Sequence, residues 1–273
     1  MPELPEVENT RRYLIEAGLP GSSFVGADIG WLKALQTHSI EDFVLGLLGA
    51  TVQQVNRLGK YLLLPLHTGN ATGSSTLTLH LGMTGGLRLQ PATQTPHPMV
   101  RHTFKLDGSR ELRFIDGRKF AKIWLVDDPN DMLPPLGPDP LGEEFTARVL
   151  SESLKDRNAP IKALLLEQSI VAGIGNLYAD ESLFLSGIHP SRPAAKLSAE
   201  EVRKLTDAIK SALATALDAY DKSRVELWPD PPMGLQTWSI PRKEKSQCPR
   251  CGGPIAGIRV RSRGTFFCSH CQR

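Results

Sequence analysis

Four cysteines, all within the last twenty-six residues, restrict the end of this chain more tightly than any hydrophobic pattern could. Cys248 and Cys251 form one CxxC knuckle and Cys268 and Cys271 a second, with sixteen residues between them. That is the spacing of a structural zinc ribbon, in which two knuckles on a hairpin bring four thiolates to one tetrahedral ion. A disulfide framework is the alternative reading, but a long chain with no secretory signal and no other cysteine fits metal thiolates better. Four sulfur ligands leave no open position for water, so the expected zinc, a single structural ion, folds the hairpin and takes no part in chemistry. From Pro241 to Arg273, eight Lys or Arg stand against one acid, Glu244. Such a basic ribbon reads as a phosphate-contacting surface, with a solvated charged hairpin as the plainer alternative.

The chain has 273 residues, 40% of them hydrophobic, and a net charge of only +3, so it has room for two domains besides a metal-stapled module. It carries no apolar leader and no apolar run of membrane-spanning length, which makes a cytoplasmic protein the expectation. After a first helix ending near residues 18–21, short runs rich in Val, Ile, Leu, Phe and Thr predict strands at 23–32, 50–56, 60–66, 76–81, 101–106, 111–116 and 120–126, with a short helix at 41–48. These imply a two-sheet β-sandwich. The proline-rich stretch LPPLGPDPLG breaks every periodicity and reads as a linker. Beyond it helices are predicted at 145–156, 160–168, 176–186 and 198–220, the last opened by a Ser198–Glu201 capping box, with Val202, Leu205, Ile209, Leu213 and Leu217 on one face. The fold class is α+β. The expected boundaries are a β-sandwich domain at 1–132, a linker at 133–142, a helical domain at 143–240 and the zinc ribbon at 241–273.

The first residues, MPELPEVE, place a proline behind the initiator methionine with acids at Glu3 and Glu6. Once Met1 is removed, Pro2 is a secondary amine, able to attack a carbonyl-like carbon and form a cationic imine without any lysine. Paired carboxylates beside it can move protons. The same residues also suit a helix start, with Pro5 in the first turn and acids at its N-terminus.

MPELPEVE, the segment GIGNLYADESLF at 173–184 and the terminal cysteine ribbon ending in CQR together resemble the formamidopyrimidine-DNA glycosylase family, from end to end of the chain. RLGKYLLL, LHLGMTGGLR and FIDGRKF are similar too. The resemblance implies a bifunctional DNA glycosylase and abasic-site lyase, acting as a monomer on double-stranded DNA with oxidised bases or abasic sites, and located with the nucleoid by its substrate. It makes Pro2 the nucleophile at the sugar C1′ of a damaged nucleotide, Glu3 the acid at the ring oxygen, Glu6 a second pocket carboxylate and Lys60 a phosphate contact near the lesion. Met83, Arg118 and Phe120 match the residues that fill the gap left by an extruded nucleotide, replacing lost stacking and pairing. Lys162, Asn176 and Arg263 match phosphate contacts. DNA is expected in the cleft between the domains.

Two departures stand out. Where the family has two arginines before the phenylalanine and glycine after it, this chain reads Arg118, Lys119, Phe120, Ala121. After the long helix, AYDKSRVELWPDPPMGLQTW replaces the glycine-pair, threonine-rich opening of the family's loop over 8-oxoguanine, which leaves the lesion less well specified than the reaction. An endonuclease VIII-like preference for oxidised pyrimidines is one alternative, though MPELP in place of MPEGP and the Met83, Arg118, Phe120 set argue against it. A non-catalytic damage-binding protein is another, and the intact Pro2, Glu3, Glu6 and Lys60 speak against that.

Overall fold

The computed structural model describes residues 2–37, 39–68, 75–223 and 237–273. They fall into two compact units, one of the described residues up to Leu133 and one of those from Pro134 onward.

The first unit opens with α1 (Leu4–Glu16), followed by β1 (Phe24–Ile29), α2 (Ile40–Leu47), β2 (Thr51–Val52), β3 (Asn56–Leu58), β4 (Tyr61–His67), β5 (Ser75–His80), β6 (Gly85–Pro91), β7 (Val100–Leu106), β8 (Arg110–Asp116) and β9 (Lys122–Val126). Two antiparallel sheets result, one ordered β1-β7-β8-β6 and the other β2-β4-β5-β9 with β3 paired to β4. Period-two burial builds the core between them: on β4, Leu62, Leu64 and Leu66 are buried while their neighbours face outward. They share one hydrophobic cluster with Leu77 and Leu79 of β5, Leu87 of β6, Phe104 of β7 and Phe114 of β8. Each such side chain contributes about 1.5–3 kcal/mol on burial.

Two elements differ from the sequence expectation. The run at 50–56 divides into β2 and β3, and β6, which opens with Gly85 and Gly86, is a strand the sequence expectation lacks. The first of these glycines is needed for close approach, since a Cβ there would lie 2.1 Å from the Leu81 carbonyl oxygen. His102 on β7 is a polar intruder in the core. It is 1% exposed, neither ring nitrogen finds a hydrogen-bond partner among the described residues, and its ring meets Phe114 edge-on. Burial lowers its pKa to about 4, so it is neutral at ordinary pH.

The second unit comprises α3 (Ala147–Leu154), α4 (Ile161–Leu165), α5 (Asn176–Ser186), α6 (Ala199–Ser223) and the hairpin β10 (Ile255–Val260) to β11 (Arg263–Cys268). Helix α6 begins as its sequence predicts: Ser198 Oγ accepts from the Glu201 N–H, and Glu201 Oε2 from the Ser198 N–H at 2.8 Å. Helices α3 and α4 are shorter than expected. Gln168 lies outside α4 and instead closes a loop, donating to the Ile174 carbonyl and accepting from the Gly173 N–H. No helix among the described residues is long and apolar enough to cross a membrane. Residues 224–236, most of the loop that departs from the family pattern, lie outside the described residues.

Candidate functional site

Pro2 and Glu3 precede α1 directly and both are buried, Glu3 to 1% exposure. Glu3 is the N-cap in extended conformation, and Glu6 Oε2 accepts its backbone N–H at 2.8 Å. The helix-start and functional readings of MPELPEVE are compatible: Glu3 caps α1, Glu6 accepts the Glu3 N–H, and Pro2 is the residue immediately before them. One turn further, Glu8 is 6% exposed and gathers three guanidiniums, from Arg11, Arg12 and Arg57. Burial pushes its carboxyl up, but hydrogen bonds from Arg11 and Arg57, with the charge of Arg11, outweigh that and hold it down at about 2. Arg57 also donates to the Gly59 carbonyl at 3.2 Å. Gly59 has a φ of 55°, and the turn from β3 to β4 that it makes carries Lys60. A Glu8–Arg57 pair thus ties the Lys60 turn to the helix that begins beside Pro2, and α1 packs against both strands of that hairpin. Nothing in the sequence singled out either residue.

His80, at the end of β5, accepts the Gly82 N–H on Nδ1 at 3.1 Å and lies 5.0 Å from the Tyr61 ring. Burial, then the charges of Lys60 and Lys122, lower its pKa to about 4. Its neutral ring closes the turn that presents Met83.

Met83, Arg118 and Phe120 lie on two turns that share one anchor. Asp116, 1% exposed at the end of β8, accepts from Thr84 Oγ1 at 2.8 Å and the Arg118 N–H at 3.1 Å on one oxygen, and from the Ala121 N–H at 2.8 Å on the other. The Met83 turn meets the same loop through Gly82, where a Cβ would fall 2.6 Å from the Phe120 carbonyl oxygen. What emerges is an exposed wedge: Phe120 is 51% exposed, with the Arg118 guanidinium 5.2 Å from its ring centroid. An exposed phenylalanine next to a cation is poorly explained by core packing. Lys119, in place of the family's second arginine, takes a φ of 59° and lies 4.4 Å from the Trp31 ring centroid.

In the second unit, the Sγ atoms of Cys248, Cys251, Cys268 and Cys271 all lie within 4.8 Å of one another, with Cys248 to Cys271 at 3.9 Å and Cys251 to Cys268 at 3.5 Å. Four sulfurs about 2.3 Å from a tetrahedral zinc stand about 3.8 Å apart, so the set fits the ion. Arg250 fixes the knuckle to α5 by donating to the last-turn carbonyls of Phe184 and Leu185. At the other end of the hairpin, Arg261 and Ser262 have φ of 43° and 65°, forming a two-residue turn between paired Val260 and Arg263. Arg263 follows it, exposed.

Asn176 is the first residue of α5, whose cap is Gly175, and its amide donates to the Gly264 carbonyl at 3.1 Å. Lys162 differs from expectation. Its side chain is 0% exposed, its Nζ lies 2.7 Å from Asp180 Oδ1, and it donates to the Gly264 carbonyl and Thr265 Oγ1. With no exposed surface, an ion pair to Asp180 and hydrogen bonds to Gly264 and Thr265, the ammonium is enclosed by protein rather than presented to a phosphate. The sequence showed a cation in the right segment; the acid that buries it comes from the next helix.

A β-sandwich led by a proline and two acids, a helical unit and a basic four-cysteine hairpin define a zinc-ribbon protein of the helix-two-turn-helix class. Family models match the formamidopyrimidine-DNA glycosylase N-terminal domain at residues 1–123, its H2TH domain at 136–226, and the zinc finger found in FPG and IleRS at 246–273. A formamidopyrimidine-DNA glycosylase of Herpetosiphon aurantiacus is 40% identical, and one of a Synechococcus strain 39%, over 100% of this chain and 100% and 99% of theirs. The crystal structure of Lactococcus lactis Fpg (MutM) in complex with N7-benzyl-Fapy-dG DNA superposes with a TM-score of 0.87 at 31% identity, covering 100% of both chains. The chain belongs to the formamidopyrimidine-DNA glycosylase family.

Proposed function

We propose that this protein is a bifunctional DNA glycosylase and abasic-site lyase that excises oxidised bases from duplex DNA through a Schiff base on Pro2, and then cuts the strand by elimination. The observation that carries the reading is the start of α1, where the Pro2 nitrogen is followed by a buried Glu3 whose own N–H is held by Glu6 at 2.8 Å. With Met1 removed, that nitrogen has a lone pair. Its attack on C1′ breaks the bond to the damaged base, which leaves with the bonding electrons and takes up the proton that the amine sheds. Glu3 delivers a proton to the sugar ring oxygen, the ring opens, and nitrogen and C1′ remain joined as an iminium. The iminium acidifies the neighbouring C2′–H, and loss of that proton expels the 3′ phosphate; a second elimination expels the 5′ phosphate.

Lys60 holds a phosphate near the lesion, on a turn tied to α1 through Arg57 and Glu8. Met83, Arg118 and Phe120 enter the duplex where the nucleotide leaves, offsetting unstacking that costs a few kcal/mol. Asn176 and Arg263 grip phosphates from the second unit, and zinc supplies the folded hairpin that presents Arg263. The protein acts as a monomer, and its substrate locates it with the nucleoid. Borohydride trapping on duplexes each bearing one defined lesion tests the reading. A trapped adduct on oxidised bases and on a preformed abasic site is expected, whereas binding without any adduct would favour a non-catalytic damage-binding protein.

A further inference from the structure

The second unit holds a buried charge cluster that the reaction itself does not call for. Asp180, on α5, has a side chain 0% exposed. One carboxylate oxygen pairs with Lys162 at 2.7 Å; the other pairs with Arg242 at 2.7 Å and accepts the Phe266 N–H of β11 at 3.2 Å. Lys162 in turn holds the carbonyl of Gly264 at 3.1 Å and the hydroxyl of Thr265 at 2.7 Å, and Asn176 donates to that same carbonyl. Arg242 also lies over the Phe266 ring, 5.2 Å from its centroid. Three successive residues of β11 are therefore gripped from α4, α5 and Arg242 at the start of the ribbon, immediately after Arg263.

Burying ions is expensive, and an apolar cluster of similar volume would serve stability as well or better. The arrangement gives position instead. Two cations and one anion leave a net positive charge just beneath the Gly264 carbonyl, in surroundings where it is poorly screened. We propose that Asp180 is a positioning residue for phosphate binding: through Lys162 and Arg242 it fixes β11 so that Arg263 and Asn176 address one backbone phosphate together. The inference rests on the proposed roles of Arg263 and Asn176.

The test measures affinity for an abasic-site duplex against salt concentration in wild type, Asp180→Asn, Arg263→Ala and the double variant, with zinc content determined for each. Losing one phosphate contact lowers the slope of log K against log salt by about 0.9. Asp180→Asn should keep its zinc, bind about five- to tenfold more weakly at 0.1 M salt and lose about one unit of slope. The loss should fall on affinity more than on turnover at saturating DNA. The double variant should show no greater slope loss than Arg263→Ala alone, because both act on one contact. An unchanged slope in Asp180→Asn, or additive losses in the double variant, would overturn the inference. If Arg263→Ala itself leaves affinity untouched, the phosphate role of Arg263 fails instead. Should Asp180→Asn not yield folded protein, Thr265→Val, which removes one acceptor of Lys162 with its shape kept, carries the same measurement and the same outcomes.

Discussion

Asp116 offers the sharpest test of how the wedge is built. Its carboxylate accepts three hydrogen bonds from the two turns bearing Met83 and the Arg118 to Phe120 segment, and it is 1% exposed. Asp116→Asn keeps the shape but turns one acceptor into an NH2 group. Set against the Ala121 N–H, that group faces a donor with a donor, and the 2.8 Å bond is lost. A lost hydrogen bond to a charged group, with the donor left unmet, costs about 1.5–3 kcal/mol. Thermal unfolding should register that loss directly. The enzymatic consequence depends on substrate. If the whole of it were felt while a paired base is being extruded, excision would slow roughly tenfold to a hundredfold. At a preformed abasic site there is less stacking to break, so strand cleavage should stay within about threefold. Single-turnover rates on a duplex with a paired oxidised base and on one with an abasic site measure both. Equal losses on the two substrates would mean that Asp116 supports the scaffold rather than the wedge, and no loss on either would mean that the wedge does not need it.

Other expectations follow from the same geometry. Arg118→Ala should likewise slow excision of a paired base while sparing cleavage at an abasic site, and equal effects would point to a scaffold role. Cys268→Ser should lose zinc and weaken DNA binding, whereas Arg263→Ala should keep its zinc and still bind more weakly; unchanged affinity in a zinc-replete Arg263→Ala would contradict the phosphate contact. Glu8 has a pKa held from 4.5 down to about 2, so its contribution is full above pH 4.5 and lost as pH falls towards 2. Glu8→Gln should therefore cost about 3 kcal/mol at pH 7 and progressively less below pH 4.5, and a melting-temperature gap that stays constant down to pH 2 would refute this. The proline-rich sequence after α6 restricts the conformations a capping loop can adopt. Ring-opened purines or oxidised pyrimidines should then be excised at least as fast as 8-oxoguanine, each opposite its normal partner, and a strong preference for 8-oxoguanine would contradict that.

What the sequence made legible was local chemistry. A CxxC pair at each end of a hairpin and a proline-led acidic helix start declare themselves within a few residues, and the structure assembles both. The short apolar run of β4 was equally plain, whereas β6 was not, because the reason for its first residue, close approach of Gly85 to the Leu81 carbonyl, lies in tertiary structure. The residues that hold the site in place were not legible. Glu8 looks like an acid on a helix face until Arg57 reaches it from β3, and Asp116 looks like a strand-ending turn residue until two loops close on its oxygens. Lys162 shows the same limit from the other side. Its residue type suggested a phosphate, but what it meets is set by Asp180 on the next helix and by a hairpin 102 positions along the chain.

The central claim, that the N-terminal amine of Pro2 is the nucleophile, is tested most directly by peptide mapping of a borohydride-reduced complex with damaged DNA. The adduct should be found on Pro2 in protein from which Met1 has been removed, and protein retaining Met1, whose Pro2 nitrogen is an amide, should bind DNA and form none. Attachment at Lys60 or at any other lysine would contradict the account.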